Sequence, residues 1–287
     1  MSIQLRQATA ADADQIAPII KAAFDSIADR HNFPYDFPNL DHALNIANWV
    51  CNDPTVWGIV AEENGKIIGS NFLHEGNEIP GVGPITVDPN VQASGVGRKL
   101  MEAVIERGQN AAGIRLVQDA FNAVSMSLYA ALGFDIKEPL VLIAGKIAGE
   151  VPADYEVRQM QEQDFAACDE LHRKIHGFSR FHDIRQNSQI FQSFVAVREN
   201  RVVAYASAPN VWQANHAVAE TDEDLHAVLS GAANLTDQPL SFLLPTRQAG
   251  LFRWCLKNKM RVVKPMSLMA MGAYQEPRGA FLPSVLY

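Results

Sequence analysis

The sequence predicts an α/β protein built from two tandem copies of one unit, and three observations point there. Several segments recur in the same order, one apolar strand feeds a glycine-rich turn and then a helix, and 287 residues suit two modest domains. Hydrophobic residues make up 48% and charged residues 20%, enough apolar material for ordinary cores and too little charge for a disordered chain.

Taken in chain order, the first element is LRQATAADA (residues 5–13), a short strand turning into a helix with apolar positions at Ile16, Ile19 and Ile20. Its copy is VRQMQEQDF (157–165), continued by Leu171 and Ile175, and Arg6, Gln7 and Asp12 recur as Arg158, Gln159 and Asp164 at an offset of 152. The segment ADRHNFPYDFPNLDHALNIANW (28–49) follows, rich in Pro and aromatics and then helical, and in its neighbourhood lies a stretch that the second copy lacks. WGIVAEENGKIIGSNFL (57–73) and FVAVRENRVVAYAS (194–207) are hairpins by their Glu-Asn-Gly and Glu-Asn turns, matched at an offset of 135. Finally PLVLIA (139–144) matches PMSLMA (265–270) at an offset of 126. The falling offsets make the second copy shorter by 17 residues before its hairpin and by 9 after it. Turn formers in GEVPAD place the boundary near 148–154, giving domains 1–149 and 150–287.

The stretch missing after the second hairpin carries the chemistry. Residues 85–88 (ITVD) read as a strand ending at Pro89, and Leu100, Met101, Val104 and Ile105 form one face of an amphipathic helix. Between them, Gly95 and Gly97 bare the backbone N–H groups at the positive end of the helix dipole, a ready site for phosphate, with Arg98, Lys99 and Arg107 close behind. The spacing fits neither a dinucleotide-binding GxGxxG nor a Walker loop. It resembles the acyl-CoA pyrophosphate loop of the GCN5-related N-acetyltransferase (GNAT) superfamily, [RQ]-x-x-G-x-[GA], which stands here as Gln92-Ala93-Ser94-Gly95-Val96-Gly97. A second landmark follows: a strand at 116–119, Asn122, then a short helix with Leu128, Tyr129 and Leu132, stopped by Gly133 before Phe134. The resemblance covers residues 3–146.

That resemblance implies domains with a central mixed β-sheet flanked by helices. It implies acetyl-CoA as cosubstrate, no metal, and direct attack of an amine of a small molecule or peptide on the thioester. Cofactor contacts fall to Ile85 and Val87, to Gln92, Ala93, Ser94, Gly95, Val96, Gly97, Arg98 and Lys99, and to Asn122, Ser127 and Tyr129. A backbone N–H at Val87 stabilises the oxyanion and Tyr129 protonates the departing thiolate. Glu75, His74, Asp119 and the carboxylate of Tyr287 are candidate bases. Acceptor recognition is expected from Phe33, Tyr35, Phe37 and His74, with His31, Asp36 and Trp49 nearby, suiting an amine with an apolar or aromatic body. In the second copy the loop position reads AVAETDEDLHAVLSGAANL, and Cys255 and Lys259 stand where Tyr129 and Gly133 would, so that copy is read as degenerate. The competing reading is a non-catalytic acyl-CoA-binding or sensing module.

A formal net charge of -8 argues against nucleic acid or an anionic membrane as partner. Three scattered cysteines without CxxC spacing, no apolar run near the roughly 18 residues of a membrane span, and no signal-type leader make the cytoplasm the expected location. The internal duplication suggests a monomer, with a dimer as the alternative.

Overall fold

The computed structural model describes residues 3–91 and 95–286. The chain divides into two compact units, Met1–Leu116 with Phe121–Phe134, and Val117–Ala120 with Asp135–Tyr287.

In the first unit, β1 (Gln4–Gln7) leads through a 3-10 turn (Ala10–Asp12) into α1 (Ala13–His31), followed by α2 (Leu40–Asn52). Asp12 fixes this entry: its carboxylate accepts from the Thr9 backbone N–H at 2.7 Å and from both terminal nitrogens of Arg6 at 2.7 and 2.8 Å. The hairpin of β2 (Val56–Glu63) and β3 (Lys66–His74) turns at Asn64 and Gly65, both with positive φ. Beyond β3 come β4 (Gly81–Val82), β5 (Thr86–Val87), α3 (Val96–Arg107), β6 (Gly113–Asp119) and α4 (Ala123–Ala131). Ile16, Ile20 and Phe72, all fully buried, centre the core of α1, α2 and the hairpin, each burial stabilising by roughly 1.5–3 kcal/mol.

The second unit repeats this order after β7 (Asp135–Gly145): β8 (Glu156–Gln159), a 3-10 turn (Glu162–Asp164), α5 (Phe165–His176), α6 (Phe181–Ile190), β9 (Phe194–Arg198), β10 (Arg201–Ala206), β11 (Ala217–Ala219), α7 (Asp222–Leu235), β12 (Leu240–Pro245), α8 (Ala249–Lys257) and β13 (Arg261–Gly272). Among the described residues, β14 (Ala280–Leu282) has no counterpart in the first unit. The Arg158–Asp164 pair reproduces Arg6–Asp12, with both terminal guanidinium nitrogens donating at 2.7 and 2.8 Å. The α8 helix spans the positions of α4 plus 126, and Lys259 takes a left-handed φ of 66° where Gly133 has 100°.

The late strands do not pair within their own copies. In the second unit the order is β6, β13, β7, β12. The end of β6 thus lies beside β13 of the second copy, and β12 beside β7 of the first. Equivalent bonds mark the exchange: the Ala120 N–H donates to Pro265 O at 3.1 Å, and the Thr246 N–H to Pro139 O at 2.9 Å. The β7–β13 register is symmetric under the same offset, with Val141 opposite Pro265, Pro139 opposite Ser267, and Leu140 opposite Met266 at the centre. The other sheet of this unit runs β14-β11-β10-β9-β8.

Candidate active site

The strand expected at residues 85–88 is shorter and divided. Pro84, which has no N–H to donate, separates β4 from β5. Parallel pairing with β6 is confined to β4, at Gly81 and Arg115, whereas β5 pairs with β3 through Thr86–Ser70 and Val87–Gly69. The sheet therefore opens between β5 and β6. The Asp88 N–H donates to Ile68 O at 2.9 Å, so by strand alternation the Val87 N–H points away from β3 and into that opening.

The first turn of α3 borders the opening. Gly95 takes φ 91° as its N-cap, and the Lys99 N–H closes the first helical turn on Gly95 O at 3.1 Å. A Cβ at Gly97 would lie 3.6 Å from Leu128 Cδ2 and 3.9 Å from Val87 Cγ2, so the helix start, the strand end and α4 meet here. Among the described residues other than its chain neighbours, nothing stands within 4 Å of a Cβ at Gly95. The opening thus presents an N–H donor edge and a helix N-terminus with room above it, which fits an extended amide-bearing arm ending in phosphates. Leu100 and Met101 seat the helix in the core. Gly69 lets it sit close, because a Cβ there would come within 2.8 Å of Thr86 O and 3.1 Å of Leu100 Cδ1.

On α4, Asn122 is the N-cap and its Oδ1 accepts from the Ser125 N–H at 3.3 Å, while Ser127 is exposed. Tyr129 is the buried residue of this helix, edge-on to Phe134. Gln92, Ala93, Ser94 and Tyr287 lie outside the described residues. Of the nearby cations, Arg98 and Lys99 stand on the first turn of α3, with Arg98 3.6 Å from Glu102. Arg107 is held elsewhere, both its Nε and a terminal nitrogen donating to Glu75 at 2.9 Å. Arg115 is 2% exposed within the sheet.

The candidate bases differ in their ties. Glu75 is committed to Arg107, and Asp119 to Lys264 Nζ at 2.8 Å. His74 donates from Nε2 to Gly83 O at 2.7 Å and packs against Trp49. Among the acceptor-side aromatics, Phe33 stacks on Phe121 with centroids 4.1 Å apart, and His31 lies 5.2 Å from the same ring. Tyr35 is half exposed, its hydroxyl donating to Asp29 at 2.7 Å. Phe37 instead belongs to the core, edge-on to Phe24. Sequence reasoning passed over Phe121, whose signal was its place between the strand end and Asn122.

Burial pushes the Cys51 thiol up to about 11 and that of Cys255 to about 12, and raises Cys168 as well. None is poised as a thiolate nucleophile. Among the described residues no group of three or more His, Cys, Asp or Glu is placed to hold a metal ion, and no helix is long and apolar enough to cross a membrane.

Residues 21–134, which contain this opening, match the model of the acetyltransferase (GNAT) family. The match falls on the first copy and spans the loop, the helix α3 and the Tyr129 helix. A putative acetyltransferase from Pyrococcus horikoshii is similar over 96% of this chain and 93% of its own, with 18% identity and a TM-score of 0.73. A GCN5-related N-acetyltransferase from Sphaerobacter thermophilus follows at 15% identity, 97% and 98% coverage and a TM-score of 0.61. A tandem GNAT protein from the clavulanic acid biosynthesis pathway is matched over 97% of this chain and 99% of its own, at 11% identity and a TM-score of 0.59. These likenesses establish a tandem GNAT fold along the whole chain. No curated protein matches.

In the second copy, the counterpart of α3 is α7. Its first turn carries Asp222, Glu223 and Asp224 beneath a Thr221 capping box. Three carboxylates at the positive end of a helix suit the helix and repel a phosphate.

Proposed function

We propose that the chain is an acetyl-CoA-dependent N-acetyltransferase acting on an amine of a small molecule or peptide by direct attack. The observation that carries this is the outward Val87 N–H at the gap between β5 and β6, bordered by the α3 N-terminus and by the Asn122–Tyr129 helix. Residues 1–149 supply the chemistry in this reading, and 150–287 act as scaffold.

Arg98, Lys99 and the backbone from Gly95 hold phosphates, with Gln92, Ala93 and Ser94 completing the loop. Ile85, Val87, Asn122 and Ser127 line the arm. The Val87 N–H stabilises negative charge on the acyl oxygen as the amine nitrogen bonds to the acyl carbon and the C–S bond breaks. Tyr129 gives its proton to the departing thiolate, and the ammonium proton leaves through His74 or water. Phe33 with Phe121, and Tyr35, face an acceptor with an apolar or aromatic body. Three unpaired cysteines suit the reducing cytoplasm, and the internal duplication suits a monomer.

Thiol release from acetyl-CoA across a panel of small amines, amino acids and peptides tests the activity. Saturable acetyl-CoA binding that raises the melting temperature without any amine-dependent release identifies a binding module instead.

A further inference from the structure

The second copy contains its own version of the β5 edge. Hairpin register sets Ala219 at the position of Val87, because Val87 pairs with Gly69 as Ala219 pairs with Ala204, the hairpin counterpart of Gly69. The bond that orients the edge recurs too, the Glu220 N–H donating to Val203 O at 3.1 Å as Asp88 does to Ile68. In the first copy this edge faces a gap. In the second, β14 lies on it, with Ala219 opposite Ala280, Val218 opposite Phe281 and Ala217 opposite Leu282, all fully or nearly fully buried. The same strand also lies against β12, the counterpart of β6.

A side chain clamps it there. Gln248 stands at the position of Asn122 plus 126, at the start of α8. Its Nε2 donates to Phe281 O at 2.6 Å and its Oε1 accepts the Phe281 N–H at 3.1 Å. A two-point amide clamp on an extended backbone is how a side-chain amide would hold an amide-bearing arm.

We infer that the C-terminal strand Ala280–Leu282 is an internal ligand of the second copy: it fills the slot that corresponds to the acyl-CoA arm site of the first, closing that slot and leaving one acyl-CoA site per chain. The occupant is an extended apolar segment of the same chain, recognised by strand addition on β11 and by Gln248. The link to acyl-CoA rests on the function proposed above.

Hydrogen exchange and native mass spectrometry on the full-length chain, with and without saturating acetyl-CoA, test it. One acetyl-CoA per chain is expected, with ligand-induced protection confined to the first copy and the Phe281 amide as protected as those of β10 in either state. A second bound acetyl-CoA, or ligand-induced change at residues 217–224 or 280–282, overturns the inference. No binding at all defeats the acetyl-CoA reading instead, and the exchange data then judge the internal ligand by themselves. Gln248→Ala should speed exchange of the Phe281 amide roughly tenfold or more without altering acetyl-CoA affinity. Exchange of that amide at loop rates in the unaltered chain, or an unchanged rate in the variant, refutes the clamp.

Discussion

Gly97 and Gly69 are both small for reasons that the surrounding atoms distinguish. A methyl at Gly97 meets only ordinary contacts, at 3.6 and 3.9 Å. Gly97→Ala should therefore keep the fold, gaining up to about 1 kcal/mol from helix propensity, while lowering acetyl-CoA affinity about tenfold or more by standing where the ligand must approach the backbone. A methyl at Gly69 would strike the backbone oxygen of Thr86 at 2.8 Å, so Gly69→Ala should cost about 1–3 kcal/mol in urea unfolding. Equal stability loss in the two variants, with affinity untouched in the first, would refute the assignment of the α3 N-terminus. Tyr129→Phe tests the proton donor: kcat for thiol release should fall about 10²- to 10⁴-fold while acetyl-CoA binding is kept. The strand–loop–helix and the capped helix were legible in the sequence from their spacing, whereas the roles given to the glycines and Tyr129 came from the family resemblance. The commitment of Glu75 to Arg107 and the burial of Phe37 were not, since both depend on residues distant in the chain.

At the level of elements, the exchanged strands carry matched charges of opposite sign. Glu138 in β7 and Lys264 in β13 are equivalent positions, 1% and 2% exposed in otherwise apolar strands. Glu138 accepts from Arg247 Nε at 2.8 Å, just past β12, and burial raises its pKa while Arg247 lowers it. Lys264 pairs with Asp119 at the end of β6. Without exchange, each late strand would meet the strand end of its own copy, setting Glu138 near Asp119 and Lys264 near Arg247. Like charges in a buried sheet are costly, so the charges select the exchanged order. Lys264→Glu should destabilise by about 3–5 kcal/mol in denaturant unfolding, and adding Asp119→Lys should restore most of that loss. A double variant no more stable than the single one would refute the pairing as the selector. The duplicated PLVLIA and PMSLMA motif was visible in the sequence, and opposite charges at its matched positions were the available signal. Which strand each would choose was not visible, because an apolar strand satisfies any neighbour of suitable register.

Across the whole molecule, acid should attack the two units unequally. Burial lowers the His172 pKa to about 3 and holds His216 well below its ordinary value, both in the second unit, where Arg180 adds to the effect. Such a histidine binds its proton more readily in the unfolded chain. Its stabilising contribution is complete above about pH 6.5 and is lost as pH falls from there toward 3, by up to about 1.4 kcal/mol per pH unit for each. In the first unit, Arg6 lowers the Asp12 pKa to about 2, so that contribution persists until pH falls below the ordinary carboxylate value of 3.8. Between pH 6 and 4 the second unit should therefore lose hydrogen-exchange protection first, and Trp212 and Trp254 should report unfolding before Trp49 and Trp57. Simultaneous loss in both units, or earlier loss in the first, would contradict this.

By itself the sequence determined what local spacing can encode: the duplication, the hairpins, the glycine loop before its helix, the capped helix carrying Tyr129, and the lack of that loop in the second copy. Tertiary structure decided what depends on distant partners. It set the gap between β5 and β6, the exchange of β7 and β13, and the seating of β14 on β11. Periodicity specifies which face of a strand is buried, whereas the choice of neighbour comes from register, charge and available edges, which exist only once the chain has folded.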